Sequence, residues 1–327
     1  MRTSSPFSDN PSVCFEPPVW LRNPHIQTLW PKLFRRRPAL PLTSQRINLA
    51  DGDFIDLTWA VGCKGSVVLI LHGLEGNLDS HYALPVMDCL ARAGLQPVFM
   101  HLRGCSHEPN RSARTYHSGA IEDLEEVLLA LYNTDRAVAA ALGFSLGGNI
   151  LLRYLGMRGD RALLKAAMAV SVPFVLADAA RRLEQGSSRF YQSYLLARLK
   201  RTYKRKLNNS HSSLQVNLNG IRTIRQYDEH ITAPLNGFAG ADDYYHRCSS
   251  IGYLTGITIP TLLLHSLDDP FMYPGTSPRP DQLGPGVRPV ILPHGGHVGF
   301  VHGTRPWRTA YLVDQLAPAF FSEALSK

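Results

Sequence analysis

A three-layer α/β domain, with a mostly parallel sheet covered by helices on both faces, is the fold this chain predicts. Three observations point there. From residue 67 onward, short apolar runs alternate with amphipathic helical stretches. A glycine-rich turn, Gly143-Phe144-Ser145-Leu146-Gly147-Gly148, lies where one run hands over to a helix. Two later apolar runs end in loops carrying Asp268-Asp269-Pro270 and His294-Gly295-Gly296-His297. Runs that are apolar throughout suit parallel strands buried on both faces, and the helices between them serve as crossovers.

In chain order, residues 46–49 and 54–61 flank Asp51-Gly52-Asp53 and predict a β-hairpin. Strands follow over 67–71, 97–100, 137–142 and 166–170. Helices are expected over 82–93, where Gly94 stops the turn, and over 118–132 and 149–155. The alternation lapses over 174–254 and resumes with strands at 261–265 and 288–292. The expected organisation is therefore a proline- and arginine-rich arm (1–44) packed on the body and a core made of 45–173 and 255–327. A helical cap (174–254) is inserted between the two core segments. No internal repeat interrupts this scheme.

Composition narrows the function classes. The chain has 327 residues, 44% of them hydrophobic and 18% charged, which is the balance of a globular protein with a sizeable core. Five scattered cysteines without a C-x-x-C pair argue against a zinc ribbon or a disulfide framework, and fit a reducing compartment. The first residues lack an apolar signal segment, and the richest apolar stretch, 162–180, is broken by Lys165, Pro173 and Asp178. A soluble, cytoplasmic protein is expected. The net charge of +8 comes without a nucleic-acid reading motif, so nucleic acid is not an expected partner.

The turn at Ser145 fits G-x-S-x-G in the strand-to-helix context that this motif needs. A serine at the tip of so tight a turn adopts a strained backbone, and neighbours two residues away must be small. Ser145 is thus the candidate nucleophile. The N–H of Leu146, at the start of the following helix, is one candidate oxyanion donor. The loop His72-Gly73-Leu74-Glu75-Gly76 lacks the Gly-Lys-Ser/Thr of a phosphate loop, and the N–H of Leu74 is the second candidate donor. His72 is expected to be structural. In a Ser, acid, His chain order, the acid is Asp268 or Asp269. The base is His297, placed by flanking glycines, with His294 as its competitor. The histidine would take the serine proton, and the carboxylate would fix its tautomer.

The chain resembles the YheT-like branch of the α/β-hydrolases, which is related to the ABHD1/2/3 group of eukaryotic lipid esterases. The resemblance rests on Leu21-Arg22-Asn23-Pro24-His25-Ile26-Gln27-Thr28, His72-Gly73-Leu74-Glu75-Gly76 and His101-Leu102-Arg103-Gly104. It also includes Gly143-Phe144-Ser145-Leu146-Gly147-Gly148-Asn149, Asp268-Asp269-Pro270-Phe271-Met272 and Gly295-Gly296-His297-Val298-Gly299-Phe300. It implies an α/β-hydrolase fold and a cofactor-free esterase or lipase acting on carboxylic esters. The superfamily pattern of histidine, three residues and then the acid falls on His265 and Asp269, which favours Asp269 over Asp268. His101 departs from the commoner Asp or Asn before Arg-Gly, a change expected to affect loop packing.

Within 174–254, Leu195, Leu196, Leu199, Tyr203 and Leu207 share one helical face. Arg198, Lys200, Arg201, Lys204, Arg205 and Lys206 fall mostly elsewhere on the surface. An ordinary lid is preferred to a helix lying on an anionic membrane. Arg35-Arg36-Arg37 beside Trp30 and Phe34 raises the same choice. Asp242, Asp243 and His246 are read as surface caps, and no metal is expected. The expected activity is hydrolysis of short- to medium-chain acyl esters or glycerolipids through an acyl-serine. Acyl transfer to an alcohol, or a non-catalytic lipid- or protein-binding module that keeps the fold, are the alternatives. Oligomeric state is left open.

Overall fold

The computed structural model describes residues 15–207, 214 and 216–326. Its centre is an eight-stranded sheet in the order β1-β2-β4-β3-β5-β6-β7-β8. β1 (Leu42–Asn48) and β2 (Phe54–Ala60) form the expected hairpin, and β2 pairs antiparallel with β4 (Gln96–Met100). β3 (Val67–Leu71), β5 (Val138–Phe144), β6 (Ala166–Val170), β7 (Thr261–Ser266) and β8 (Val287–Leu292) complete a parallel run from β4.

The alternating side chains of each strand divide between two cores. Leu69 and Leu71 of β3 pack with Leu124, Val127 and Leu151 from α3 (Ile121–Tyr132) and α4 (Leu146–Arg158). Val68 and Ile70 face the other way, onto Met87 and Leu90 of α2 (Ala83–Arg92) and Phe320 and Phe321 of α10 (Leu312–Leu325). Both faces are covered, which is why the strands carry no polar alternation. Each fully buried Leu or Ile here contributes roughly 1.5–3 kcal/mol relative to an exposed one.

Between β6 and β7 the chain is helical. α5 (Leu176–Leu183), α6 (Ser188–Leu207), α7 (Ile224–Tyr227), α8 (Ala233–Leu235) and α9 (Ala241–Cys248) lie there. They enclose apolar clusters of their own, one built on Leu196, Leu199, Tyr203 and Ile231, the other on Leu176, Tyr244 and Tyr245. The expectation that the α6 cations sit mostly at the surface holds for Arg201, Lys204 and Arg205, with Arg198 and Lys200 half-buried, and fails at Lys206. Lys206 is buried, and its ammonium donates to Asn110 Oδ1 (2.7 Å), Ser112 O (2.7 Å) and Arg114 O (2.6 Å). Arg198 donates to Glu75 O and Lys200 to Ile221 O. These cations donate to backbone carbonyls and to an amide oxygen, so part of the charge that the sequence pattern had left to solvent is spent within the protein.

The arm contains a helix the sequence reading did not foresee, α1 (Pro24–Phe34). Asn23 caps it, accepting from the N–H groups of His25 (2.9 Å) and Ile26 (3.2 Å), and Pro24 occupies its first position. Arg35 also departs from the surface expectation. Its guanidinium is buried against Asp314 and lies 4.1 Å from the Tyr311 ring centroid. β9 (Val301–Arg305) and β10 (Arg308–Tyr311) form a separate hairpin beside the arm. Cys63, Cys89, Cys105 and Cys248 are free thiols, and Cys14 lies outside the described residues. No helix among the described residues is long and apolar enough to cross a membrane.

Candidate active site

Ser145 stands between β5 and α4 with φ 49° and ψ −116°, the strained conformation its motif implies. The surrounding backbone is too close for side chains. A Cβ on Gly147 would lie 2.6 Å from the carbonyl oxygens of Leu71 and His72. The serine N–H is fixed to Val170 O at 2.8 Å. Crowding from β3 and β6 thus holds the turn in a conformation that few residues adopt unaided.

His297 Nε2 lies 3.1 Å from Ser145 Oγ, and His297 Nδ1 lies 2.8 Å from Asp269 Oδ2. The Asp269 side chain is 1% exposed and the His297 side chain 11%. Asp269 Oδ1 accepts the N–H of Phe271 at 2.8 Å, so both carboxylate oxygens are engaged. A carboxylate accepts only, so Nδ1 carries the proton and Nε2 is the acceptor that faces the serine hydroxyl. The competing pair is sorted by the same geometry. Asp268 meets His294 Nδ1 at 3.2 Å and accepts the Gly296 N–H at 3.0 Å. It braces the histidine loop and does not join the line to Ser145.

Leu74 and Leu146 flank the serine from β3 and from α4. Around Leu74 the N–H groups are committed: Gly73 donates to Tyr82 OH, Glu75 to Tyr116 OH and Gly76 to Gly73 O. The N–H groups of Leu74 and Leu146 are given to no acceptor among the described residues. His72 is buried, its Nδ1 bonded to Gly73 O and its Nε2 accepting from Leu102 N–H. Burial pulls its pKa down to about 3, so it is neutral at pH 7 and serves as a brace between β3 and β4 loops. His265 does not touch Asp269 by hydrogen bond. It packs against Phe174, and burial pulls it down to about 4. His101 bonds to Thr58 Oγ1 at 3.0 Å, a packing role. Asp242 pairs with Arg225, and Asp243 pairs with Arg247 while accepting Ala239 N–H. No metal-ligating cluster occurs among the described residues.

Several positioning residues escaped the sequence reading. Thr28 Oγ1 accepts the N–H of His297 at 2.9 Å, and Gln27 makes two hydrogen bonds with the Val301 backbone. The arm can approach this closely because Gly296, at φ 59°, has no Cβ; one would meet Pro24 O at 2.6 Å. Asn-Pro at the start of α1 was the signal for that helix, though not for its contact. The Phe271 ring lies parallel to the His297 ring at 3.9 Å. Ser171 Oγ accepts Val298 N–H at 2.9 Å from the end of β6. Nothing in local sequence pattern marks these contacts, which arise from tertiary packing.

Glu75, at φ 54°, joins the β3 loop to α6. Its carboxylate accepts from Tyr116 OH (2.9 Å) and Thr202 Oγ1 (2.6 Å), while its carbonyl accepts from Arg198 (2.7 Å). The loop bearing Leu74 is therefore held partly by the helices between β6 and β7.

A largely parallel sheet of this strand order, with a strained serine after its central strand and a histidine and carboxylate in line from later strand ends, defines an α/β hydrolase. Comparison with known proteins agrees. The family profile described as alpha/beta hydrolase fold matches residues 66–304. The Escherichia coli (strain K12) protein YheT, designated an esterase, is 43% identical over 301 residues, covering 90% of this chain and 88% of YheT. Human phospholipase ABHD3 is 29% identical over 315 residues, covering 91% of this chain and 76% of its own. A Pyrococcus furiosus esterase structure superposes with a TM-score of 0.55 at 15% identity, covering 89% of this chain and 96% of that one, a likeness of fold. The chain belongs to the α/β-hydrolase family, in its YheT-like, ABHD-related branch.

Proposed function

We propose that this protein hydrolyses carboxylic esters through an acyl-serine intermediate, with Ser145 as nucleophile, His297 as base and Asp269 as the acid that orients it. The observation that carries this reading is the unbroken line Asp269, His297, Ser145, with contacts of 2.8 and 3.1 Å. His297 Nε2 removes the Ser145 proton as Oγ attacks the ester carbonyl, and Asp269 stabilises the imidazolium. The N–H groups of Leu74 and Leu146 receive the oxyanion, and loss of one such donor costs about 2.7–4 kcal/mol in the transition state. His297 returns the proton to the leaving alkoxide, which departs as the alcohol. A water, deprotonated by the same imidazole, then attacks the acyl-serine to release the acid and regenerate the hydroxyl.

The names of relatives, phospholipase ABHD3 and the monoacylglycerol lipase of Saccharomyces cerevisiae, support esters of short- to medium-chain acids or glycerolipids as substrates. The helices between β6 and β7 act as the cap over the strand ends. A burst of p-nitrophenol, equal to the enzyme concentration and followed by slower steady turnover, is the expected stopped-flow record with p-nitrophenyl butyrate. Added methanol that raises methyl ester in proportion to lost acid would reveal the shared acyl-enzyme. Equal turnover by wild type and Ser145→Ala would refute the reading and favour a binding module.

A further inference from the structure

The arm helix α1 has three faces with different duties. Gln27 and Pro31 are buried against the body, where Thr28 holds the His297 N–H. His25 and Lys32 meet α6, through Tyr191 (Nδ1 to OH, 3.0 Å) and the Tyr194 ring (Nζ 3.7 Å from its centroid). The third face carries Ile26, Trp30, Leu33 and Phe34, spaced as i, i+4, i+7 and i+8; Trp30 leans on Trp20 and the Leu21 cluster, whereas Ile26, Leu33 and Phe34 are exposed. Leu33 is 68% exposed and Phe34 59%, while Val19 just upstream is also exposed.

A second exposed anchor lies close in the fold. The β9–β10 hairpin is fastened to the arm at its base, where Gln27 bonds Val301 and where Leu21, Val301 and Tyr311 pack together. Its tip projects Trp307, 74% exposed, between the exposed side chains of Arg305 and Arg308. An isolated exposed leucine means little, but an exposed tryptophan and a one-sided apolar helical stripe on neighbouring elements form a patch that a soluble surface normally avoids.

Charge names the occupant. Residues 17–50 and 301–313 contain no acidic side chain. Of the cations there, Arg35 is spent on Asp314 and Arg37 on Asp79, but Arg22, Arg36, Arg305 and Arg308 are exposed and reach no carboxylate among the described residues. Apolar and aromatic side chains rimmed by four exposed arginines that no carboxylate among the described residues neutralises match the headgroup boundary of an anionic bilayer. Tryptophan and the aliphatic stripe enter the acyl boundary there, and arginine meets phosphate.

We infer that the stripe of α1 and the tip of the β9–β10 hairpin together form a docking surface for anionic phospholipid bilayers. The seam between α1 and α6 borders this surface, and it leads inward through Tyr191 and Phe271 to His297, with ring centroids 4.9 and 3.9 Å apart at the two steps. A bound bilayer thus lies at the edge of the site, so lipid esters become the natural substrate class. That last step rests on the esterase reading, whereas the docking surface does not.

The test is vesicle co-sedimentation, which needs no turnover. The full chain is mixed with vesicles of phosphatidylcholine alone, or with added phosphatidylglycerol, at low salt and at about 1 M salt, where the Debye length is about 3 Å. Binding is expected only to the anionic vesicles and is expected to weaken with salt. Trp307→Ser and Leu33→Ser/Phe34→Ser should each lower the partition coefficient by about tenfold or more, with p-nitrophenyl butyrate turnover and melting temperature unchanged. Absence of binding to anionic vesicles, or binding indifferent to both variants, would overturn the inference. So would light scattering that shows a dimer which either variant turns into a monomer, because the patch would then be covered by a second copy. Failure of the serine chemistry would show in ester turnover and leave vesicle binding intact, which keeps the two readings separable.

Discussion

At the scale of single residues, the two neighbouring aspartates differ by what they touch. Asp269 shares its oxygens between His297 Nδ1 and Phe271 N–H, while Asp268 is occupied by His294 and the Gly296 N–H. Asp269→Asn places an amide against Nδ1 and disfavours the productive tautomer, so kcat should fall by about 10^4-fold. Asp268→Asn keeps an acceptor for Gly296 N–H and should cost less than about tenfold. Steady-state kinetics on p-nitrophenyl butyrate separates them, and equal losses would show that the two carboxylates act as one unit. Glycine spacing made Ser145 and His297 legible in the sequence, because strained turns leave a local mark. The choice between the aspartates came from a family resemblance, since both precede Pro270 and local chemistry treats them alike. Thr28 stands in the arm segment that carries the resemblance, but its contact could not be read: the residue that holds the His297 N–H is 269 positions away in the chain.

At the scale of elements, the strands were legible because a strand buried on both faces must be apolar throughout, and 67–71 and 166–170 fall where expected. Boundaries slipped where a turn was part of the element, as at α4, which begins at Leu146 directly after the strained serine. The arm helix was missed although Asn23-Pro24 announces it, because proline- and arginine-rich surroundings hid its periodicity. The most consequential link between elements is Glu75, which ties the β3 loop to α6 through Thr202 and Arg198. If the Leu74 N–H receives the oxyanion, α6 helps to aim it. Thr202→Val combined with Arg198→Met should lower kcat by about tenfold, the scale of a slightly misplaced group, with KM for p-nitrophenyl butyrate nearly constant. An unchanged kcat would mean that the loop holds its own geometry.

At the scale of the whole molecule, buried ionisable groups make stability depend on pH. Asp228 is buried among α9 and its neighbours, accepting from Thr232 Oγ1 and Tyr245 OH at 2.7 Å each. Desolvation outweighs those bonds and pushes its pKa from 3.8 to about 6. Between these values the folded state binds more protons than the unfolded one, so this group's contribution is complete below pH 3.8 and is lost as pH rises through 6. The full difference corresponds to about 3 kcal/mol. Asp228→Asn should therefore be more stable than wild type at pH 8 by about 1–3 kcal/mol in urea titrations. The advantage should shrink toward pH 4, and a difference independent of pH would show that the carboxylate is not the cause. Charge at this scale was the least legible property. The net +8 is visible in composition, but Lys206, Arg198 and Arg35 turn inward onto carbonyls and a carboxylate, while Arg36 and the Trp307 tip face outward. Only the tertiary fold sorts them.

The claim on which the reaction depends is that the hydroxyl of Ser145 is made nucleophilic by His297. Incubation with a fluorophosphonate, followed by proteolysis and mass spectrometry, locates the activated nucleophile directly. The expected result is one stoichiometric adduct on Ser145, whose rate of formation collapses in His297→Ala. An adduct on another residue, or none on the folded protein, would contradict it.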